Sequence, residues 1–267
     1  MTPLLEAHQL SVLAGDKWAC KGLDLSISRG ERWGILGVNG IGKTSLMHAL
    51  CGIREIQSGQ IRLKGRPTSE MKKREAARIV GLLFQDSEDH IPSTVLETAL
   101  IGRHPHIPPW QRESLEDERI ALEALCAVGL SGMERRLANT LSGGERRRLA
   151  LATLLVQDPE LYLLDEPTNH LDLRHQIEML DLLASRTAEK AQVMILHDPN
   201  LAERYCDRIL LLIEEGRTMQ GTKEDILNES NLSRLYGYPI ASIQGPHGRI
   251  FFADQTVPAS GLKAGCL

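Results

Sequence analysis

The sequence predicts an α/β fold: a mixed sheet core with an N-terminal antiparallel β subdomain and an inserted helical subdomain. Three observations predict it. Short apolar runs that read as buried strands alternate with helix-length segments, the pattern of a largely parallel sheet covered on both faces. A glycine-rich loop, "GVNGIGKT" at 37–44, leads out of one such strand directly into a helix. From about Pro92 to Asn139 the strand-like runs give way to helical patterning, broken once by the cluster "HPHIPPW" at 104–110.

Taken in order, residues 4–13 and 20–28 read as strands, "RWGILG" at 32–37 as a buried strand and 43–51 as a helix. A strand at 60–65, a helix at 69–77 and a strand at 79–84 follow. After the helical block come a helix at 143–157, the strand "LYLLD" at 161–165 and a helix at 173–188, then strands at 192–196 and 208–213. Beyond about 220 the chain reads as two short helices and a small hairpin. The expected division is a core of 1–91 and 140–254, a helical subdomain of 92–139, and a flexible tail of 255–267.

Composition narrows the function. The chain has 267 residues, 42% hydrophobic and 25% charged, which suits one large domain or a core with an insertion. A net charge of −4 and only 4% aromatic residues offer neither a basic field nor a stacking surface, so no nucleic-acid partner is expected. Five cysteines, Cys20, Cys51, Cys126, Cys206 and Cys266, are scattered without a CxxC pair, which argues against a zinc site or a disulfide framework. "MTPLLEAHQL" lacks the basic and apolar regions of a signal peptide. No run approaches the ~20 apolar residues of a membrane span.

Gly37, Val38, Asn39, Gly40, Ile41, Gly42, Lys43 and Thr44 fit G-x-x-x-x-G-K-[ST]. Backbone N–H groups that curl around a phosphate chain need dihedrals and closeness that side chains forbid. The following helix turns its positive end toward the anion. Lys43 would supply a point charge for the β- and γ-phosphates, and the Thr44 hydroxyl a ligand for Mg2+. Ser45 completes the cradle. The strand "LYLLDEP" at 161–167 ends in two carboxylates, at the strand edge where ligands sit in parallel sheets. Asp165 would hold the metal, and Glu166 would orient the attacking water as general base.

"LSGGERRRLALATLL" at 141–155 opens on Ser142 and Glu145, spaced as a helix capping box. Gly143 and Gly144 weaken that helix start, a cost that makes sense if an anion must come close to it. Arg146 to Arg148 read as a solvated, charged face. The chain thus carries two phosphate-seeking helix starts nearly a hundred residues apart.

Together these residues resemble the ATP-binding cassette (ABC) ATPases over about residues 4–254, a branch of the P-loop NTPases. The resemblance rests on the glycine loop at 37–44, Gln85 in "LLFQD", "LSGGE" at 141–145, "LYLLDE", "NHLD" at 169–172 and His197 in "MILHD", in the family's order. It implies a head-to-tail homodimer in which ATP and Mg2+ lie between the glycine loop of one copy and Ser142, Gly143 and Gly144 of the other. Gln85 would join Thr44 and Asp165 at the metal, and His197 would contact the γ-phosphate and support Glu166. The family stacks adenine on an aromatic residue near the end of the first strand; Ala14 is not aromatic, and Trp18 would substitute.

Within the family, "STVLETALIGRHPH" at 93–106 and "LSRLYGYPIASI" at 232–243 resemble the ATPases of iron–siderophore, haem and cobalamin importers. That implies a peripheral subunit on the cytoplasmic face of the inner membrane. Its partners would be integral-membrane permeases and, indirectly, a substrate-binding protein. The alternatives are a soluble cassette ATPase of iron–sulfur assembly and an exporter ATPase. His104 and His106 read as a subdomain surface loop, and His170 with His175 not as a metal pair.

Overall fold

A computed structural model describes residues 2–85, 92–169, 171–246 and 248–254. In chain order the strands are β1 (Leu5–Ala14), β2 (Lys17–Ile27), β3 (Arg32–Leu36), β4 (Ser58–Leu63), β5 (Arg66–Pro67), β6 (Val80–Leu83), β7 (Leu161–Leu164), β8 (Ala191–Ile195), β9 (Arg208–Leu212), β10 (Thr218–Thr222), β11 (Ile240–Gly245) and β12 (Gly248–Ala253). The α-helices are α1 (Lys43–Leu50), α2 (Lys73–Ile79), α3 (Val95–Leu100), α4 (Leu115–Ala127), α5 (Gly143–Gln157), α6 (Leu173–Arg186), α7 (Pro199–Tyr205), α8 (Lys223–Ile226) and α9 (Glu229–Tyr236). The strands form sheets in the orders β2-β1-β4-β5, β10-β9-β3-β8-β7-β6 and β11-β12. The chain divides into two compact units. One is Met1–Glu6, Leu25–Gly30 and Ile61–Val193; the other is Ala7–Asp24, Glu31–Gln60 and Met194–Leu267.

In the first unit β6 and β7 pair in parallel, Val80 opposite Leu161 through Leu83 opposite Leu164. Every residue of β7 is buried. Both faces are covered, so the strand is apolar at each position instead of alternating. α5 packs against α3, α4 and β6 and buries Leu149, Leu151, Leu154 and Val156. α6 buries Met179, Leu180 and Leu183 on one stripe.

Three helices of this unit open on the same reciprocal cap. Thr94 and Glu97 cap α3, Ser114 and Asp117 cap α4, and Ser142 and Glu145 cap α5. Each satisfies two backbone N–H groups that a helix start leaves without an intrahelical acceptor. The "HPHIPPW" cluster forms turns between α3 and α4. Arg74 and Arg78 both donate to the Pro105 carbonyl, at 3.1 and 2.7 Å, and the His106 ring nitrogen Nε2 lies 2.8 Å from the Gln157 carbonyl. His106 is thereby spent on fixing the loop, and among the described residues no histidine, cysteine or carboxylate cluster suits a metal ion. His170 lies outside the described residues, as do residues 255–267.

In the second unit β3 runs parallel to β9, and β9 antiparallel to β10. Arg32 grips Asp207 with two parallel bonds, Nε to Oδ2 at 3.0 Å and Nη2 to Oδ1 at 2.8 Å, where β3 and β9 begin. The strand β10 is not evident from the sequence: "TMQGT" pairs only with β9 at the sheet's edge, so it has no apolar pattern to show. The expected hairpin near the C-terminal end is β11–β12, fastened to α7 by Asn200, whose amide accepts from Phe251 N at 2.8 Å and donates to Phe251 O at 3.1 Å. No helix among the described residues is long and apolar enough to cross a membrane.

One ion pair inside the helical stretch combines with a cap. Arg103 Nε donates to Asp117 Oδ1 at 2.7 Å, while the other carboxylate oxygen accepts from Ser114 N at 2.9 Å. Burial would raise the Asp117 carboxyl; the bonds from Ser114 and Arg103 outweigh it and hold it at about 2. Because the folded value lies below the unfolded one, this stabilisation is complete at neutral pH and is lost as pH falls through about 2. Asp117→Ala is expected to cost about 2 kcal/mol at pH 7 in urea unfolding, and the gap from wild type should narrow as the pH is lowered toward 2.

Candidate functional site

The glycine loop belongs to the second unit. β3 delivers it, fully buried along Trp33–Leu36, and the chain emerges at Val38, Asn39 and Gly40, which are exposed. α1 then starts with Gly42 as its N-cap at φ 105°, with no side-chain cap. A Cβ there would stand 2.5 Å from the Cβ of Ala19 on β2, so both backbone angle and space demand glycine. Lys43 is buried at 6% exposure, and its Nζ donates to the carbonyls of Gly37 at 2.8 Å and Val38 at 3.2 Å. The ammonium is therefore held inside the curl of the loop. Thr44 and Ser45 are half-buried in the first turn of α1.

Beside the loop lies a cleft of about 650 Å3, lined by Val38 to Ile41 and by Trp18, Lys21, Glu215 and Arg217. Trp18 is half-buried on β2, and Lys21 Nζ stands 5.1 Å from its ring centroid, a cation–π arrangement. The indole expected near an adenine thus borders the same cleft as the loop. His197 follows β8 in this unit, exposed, and its carbonyl accepts from Tyr236 Oη at 3.2 Å.

The acidic strand end belongs to the first unit. Asp165 is fully buried and Glu166 is 9% exposed. Glu166 sits at φ 47°, a left-handed conformation that costs a glutamate roughly 1–3 kcal/mol and persists only where neighbours over-determine it. Its Oε2 accepts from Gln85 Nε2 at 3.0 Å and from Asn169 Nδ2. The structure therefore joins two of the sequence-selected residues, Gln85 and Glu166, and adds Asn169. Because the Gln85 amide nitrogen is committed to Glu166, its oxygen is the atom left to meet a cation. Residues 86–91, which follow Gln85, lie outside the described residues.

The start of α5 is also in this unit. Ser142 N donates to Glu145 Oε2 at 2.7 Å and Glu145 N to Ser142 Oγ at 3.3 Å, the reciprocal cap read from the sequence. Hydrogen bonds from the Ser142 backbone N–H and hydroxyl hold the Glu145 carboxyl below its usual range. Ser142 and Gly143 are exposed, and a Cβ on Gly143 would meet nothing within 4 Å. Among the described residues neither backbone angle nor packing calls for glycine at that position, in contrast to Gly42.

One reading needs correction. Arg147, expected on a solvated face with Arg146 and Arg148, is buried at 6% exposure beneath the acidic strand end. The signal was present: Arg147 shares a helical stripe with Leu151 and Leu154, which are buried. Charge alone argued the other way, and only the acceptors around it explain the burial.

The family model described as ABC transporter matches residues 20–169. The chain is 34% identical over 263 residues to the petrobactin import ATP-binding protein of Bacillus anthracis, covering 93% of this chain and 95% of that one. It is 34% identical over 244 residues to the ferric enterobactin transport ATP-binding protein of Escherichia coli, covering 91% and 90%. It is 37% identical over 243 residues to the hemin import ATP-binding protein of Pseudomonas aeruginosa, covering 89% and 94%. Among solved structures, a chain from a transporter assigned to the metal-chelate ABC type, in an inward-facing conformation, superposes with a TM-score of 0.80 at 25% identity, covering 95% of this chain and 99% of that one. CbiO1 from Clostridium perfringens, part of the CbiONQ transporter complex, gives 0.71 at 27% identity, covering 88% and 94%.

If glycine at 143 answers to something outside the fold, replacing it should not harm the fold. Gly143→Ala is expected to leave stability unchanged or raise it by up to about 1 kcal/mol, as helix propensity dictates. A urea titration that showed a loss would return the residue to a packing role.

Proposed function

The chain belongs to the ABC transporter family, and from that premise we propose how it works as the ATP-hydrolysing subunit of an importer for siderophores, haem or related metal chelates. Such subunits are ATPases, and the petrobactin import, ferric enterobactin transport and hemin import names of the relatives set aside the exporter and iron–sulfur assembly alternatives. The single observation that carries the reading is the Glu166 carboxylate, held by Gln85 and Asn169 at the end of a buried strand in a chain that also has a complete phosphate loop.

In this reading the N–H groups of Gly37 to Thr44 cradle the phosphates, with Lys43 as the fixed positive charge and Ser45 beside it. Trp18 offers a flat apolar face to the adenine. The oxygen donors Thr44, Gln85 and Asp165 fit Mg2+, which prefers hard oxygen ligands over nitrogen or sulfur. When bound, the metal neutralises the phosphate oxygens. Glu166 takes the proton side of the attacking water and aims it at the γ-phosphate, and His197 contacts that phosphate. Ser142, Gly143 and Gly144 serve the nucleotide of a second copy. The exposed surface at Gly143 supports this assignment, since among the described residues nothing lies within 4 Å of where its Cβ would stand.

We further assign 92–139 to contact with integral-membrane permease subunits, themselves fed by a substrate-binding protein, and place the chain on the cytoplasmic face of the cell membrane. Closure of two copies around ATP would change the permease's access, and hydrolysis would reset it.

Two experiments test the reading. Glu166→Gln should bind ATP within about threefold of wild type, lose hydrolysis by roughly a hundredfold or more, and run as a dimer on a sizing column with ATP. A variant that stays monomeric at saturating ATP would rule out the shared site. Trp18→Ala should weaken ATP at least about fivefold in equilibrium titration while leaving inorganic tripolyphosphate binding unchanged; equal losses for both would remove the stacking role.

A further inference from the structure

The guanidinium of Arg147 is surrounded by backbone carbonyls. Nε donates to Pro167 O at 3.1 Å; Nη1 donates to Phe84 O and, at 3.1 Å, to Gln85 O; Nη2 donates to Asp165 O and Glu166 O, both at 2.6 Å. An arginine carries five N–H donors in a planar fork, and here the five contacts use all of them. The acceptors come from two segments: the end of β6, which carries Gln85, and the end of β7, which carries Asp165 and Glu166.

We propose that Arg147 is a positioning residue for ATP hydrolysis, clamping the Gln85 segment to the Asp165–Pro167 segment so that the Glu166 carboxylate keeps its aim. The inference rests on the functional reading above and deepens it. Packing α5 against its neighbours would require an apolar residue on this stripe, as at Leu151 and Leu154, and no polar head. What an arginine adds is a fixed distance between two backbones. Arg147 Nη2 holds the carbonyls of Asp165 and Glu166, which flank the left-handed φ of Glu166, and Asn169 N also donates to the Glu166 carbonyl at 3.1 Å. The Gln85 carbonyl is pinned by the same guanidinium, and the Gln85 side-chain amide donates to the Glu166 carboxylate. With both backbones fixed, the 3.0 Å bond between the two side chains has one geometry to adopt. Lysine has three donors radiating from a point, and glutamine two, so neither can span five carbonyls in a plane.

The test uses the full chain with Arg147→Lys and Arg147→Gln. ATP binding is measured with a fluorescent ATP analogue, and kcat and KM by phosphate release. In both variants kcat should fall by about tenfold or more while KM and analogue affinity stay within about threefold, the pattern of a contact needed only for turnover. Retained charge should not rescue: Arg147→Lys is expected to be as slow as Arg147→Gln. Wild-type kcat in Arg147→Lys would overturn the clamp. Loss of analogue binding in both variants together with turnover would assign Arg147 to the fold and overturn the proposal as well. A wild-type chain that neither binds nor hydrolyses ATP would fail in the control and sink the functional reading first, so the two failures are distinguishable.

Discussion

A helix that must offer its first N–H groups to an anion cannot cover them with side chains, and the rest of this molecule is arranged around that constraint. At α1 the requirement is met by Gly42, which has the positive φ and the closeness to Ala19 that only a bare Cα allows. At α5 it is met differently. Ser142 and Glu145 cap each other, so the helix start is stable without a ligand, and Gly143 keeps the approach to it open. Among the described residues the first glycine is explained by its surroundings and the second is not. In the proposed reading that difference separates a site the chain uses itself from one it offers to a second copy.

The acidic centre obeys a second constraint, which follows from the first. A phosphate chain gathered on backbone N–H groups still needs a carboxylate aimed at a water, and aiming is a matter of holding backbone as much as side chain. Glu166 is held at its carboxylate by two amides and at its carbonyl by an arginine and an amide N–H. The strained φ is the consequence. A residue allowed to relax toward the ordinary regions of backbone space would swing its carboxylate away from Gln85.

Much of this was legible in the sequence because it is written locally. The glycine loop needs only the spacing of Gly37, Gly42, Lys43 and Thr44. The start of the helix over 143–157 was readable because Ser142 and Glu145 mark it; the structure ends it at Asp158, in a left-handed conformation. β7 was readable because a strand covered on both faces is apolar throughout. What was not legible depends on chain brought together from afar. Arg147 looks like one of three surface arginines until the carbonyls of residues 84, 85 and 165–167 are around it. β10 shows no strand pattern because its only neighbour is β9. His106 reads from the sequence as part of a surface loop, and only the structure shows that the Gln157 carbonyl takes its ring nitrogen.

These placements also divide the chemistry along the chain. The loop, the cleft with Trp18 and the exposed His197 lie in one compact unit; the buried carboxylates, Gln85, Arg147 and the lent helix start lie in the other. In the proposed reading the first set meets phosphate and base directly, through backbone N–H groups, Lys43 and the indole, while Gln85, Asp165 and a second copy's helix start add to the grip without Glu166. Turnover depends on the second set, where the carboxylate's aim is fixed before any phosphate is present. In the proposed reading, substitution at Glu166 therefore separates hydrolysis from binding. A transport subunit needs that separation, because a grip that did not wait for the carboxylate to act would store the bound state, and a carboxylate that did not wait for the grip would waste it.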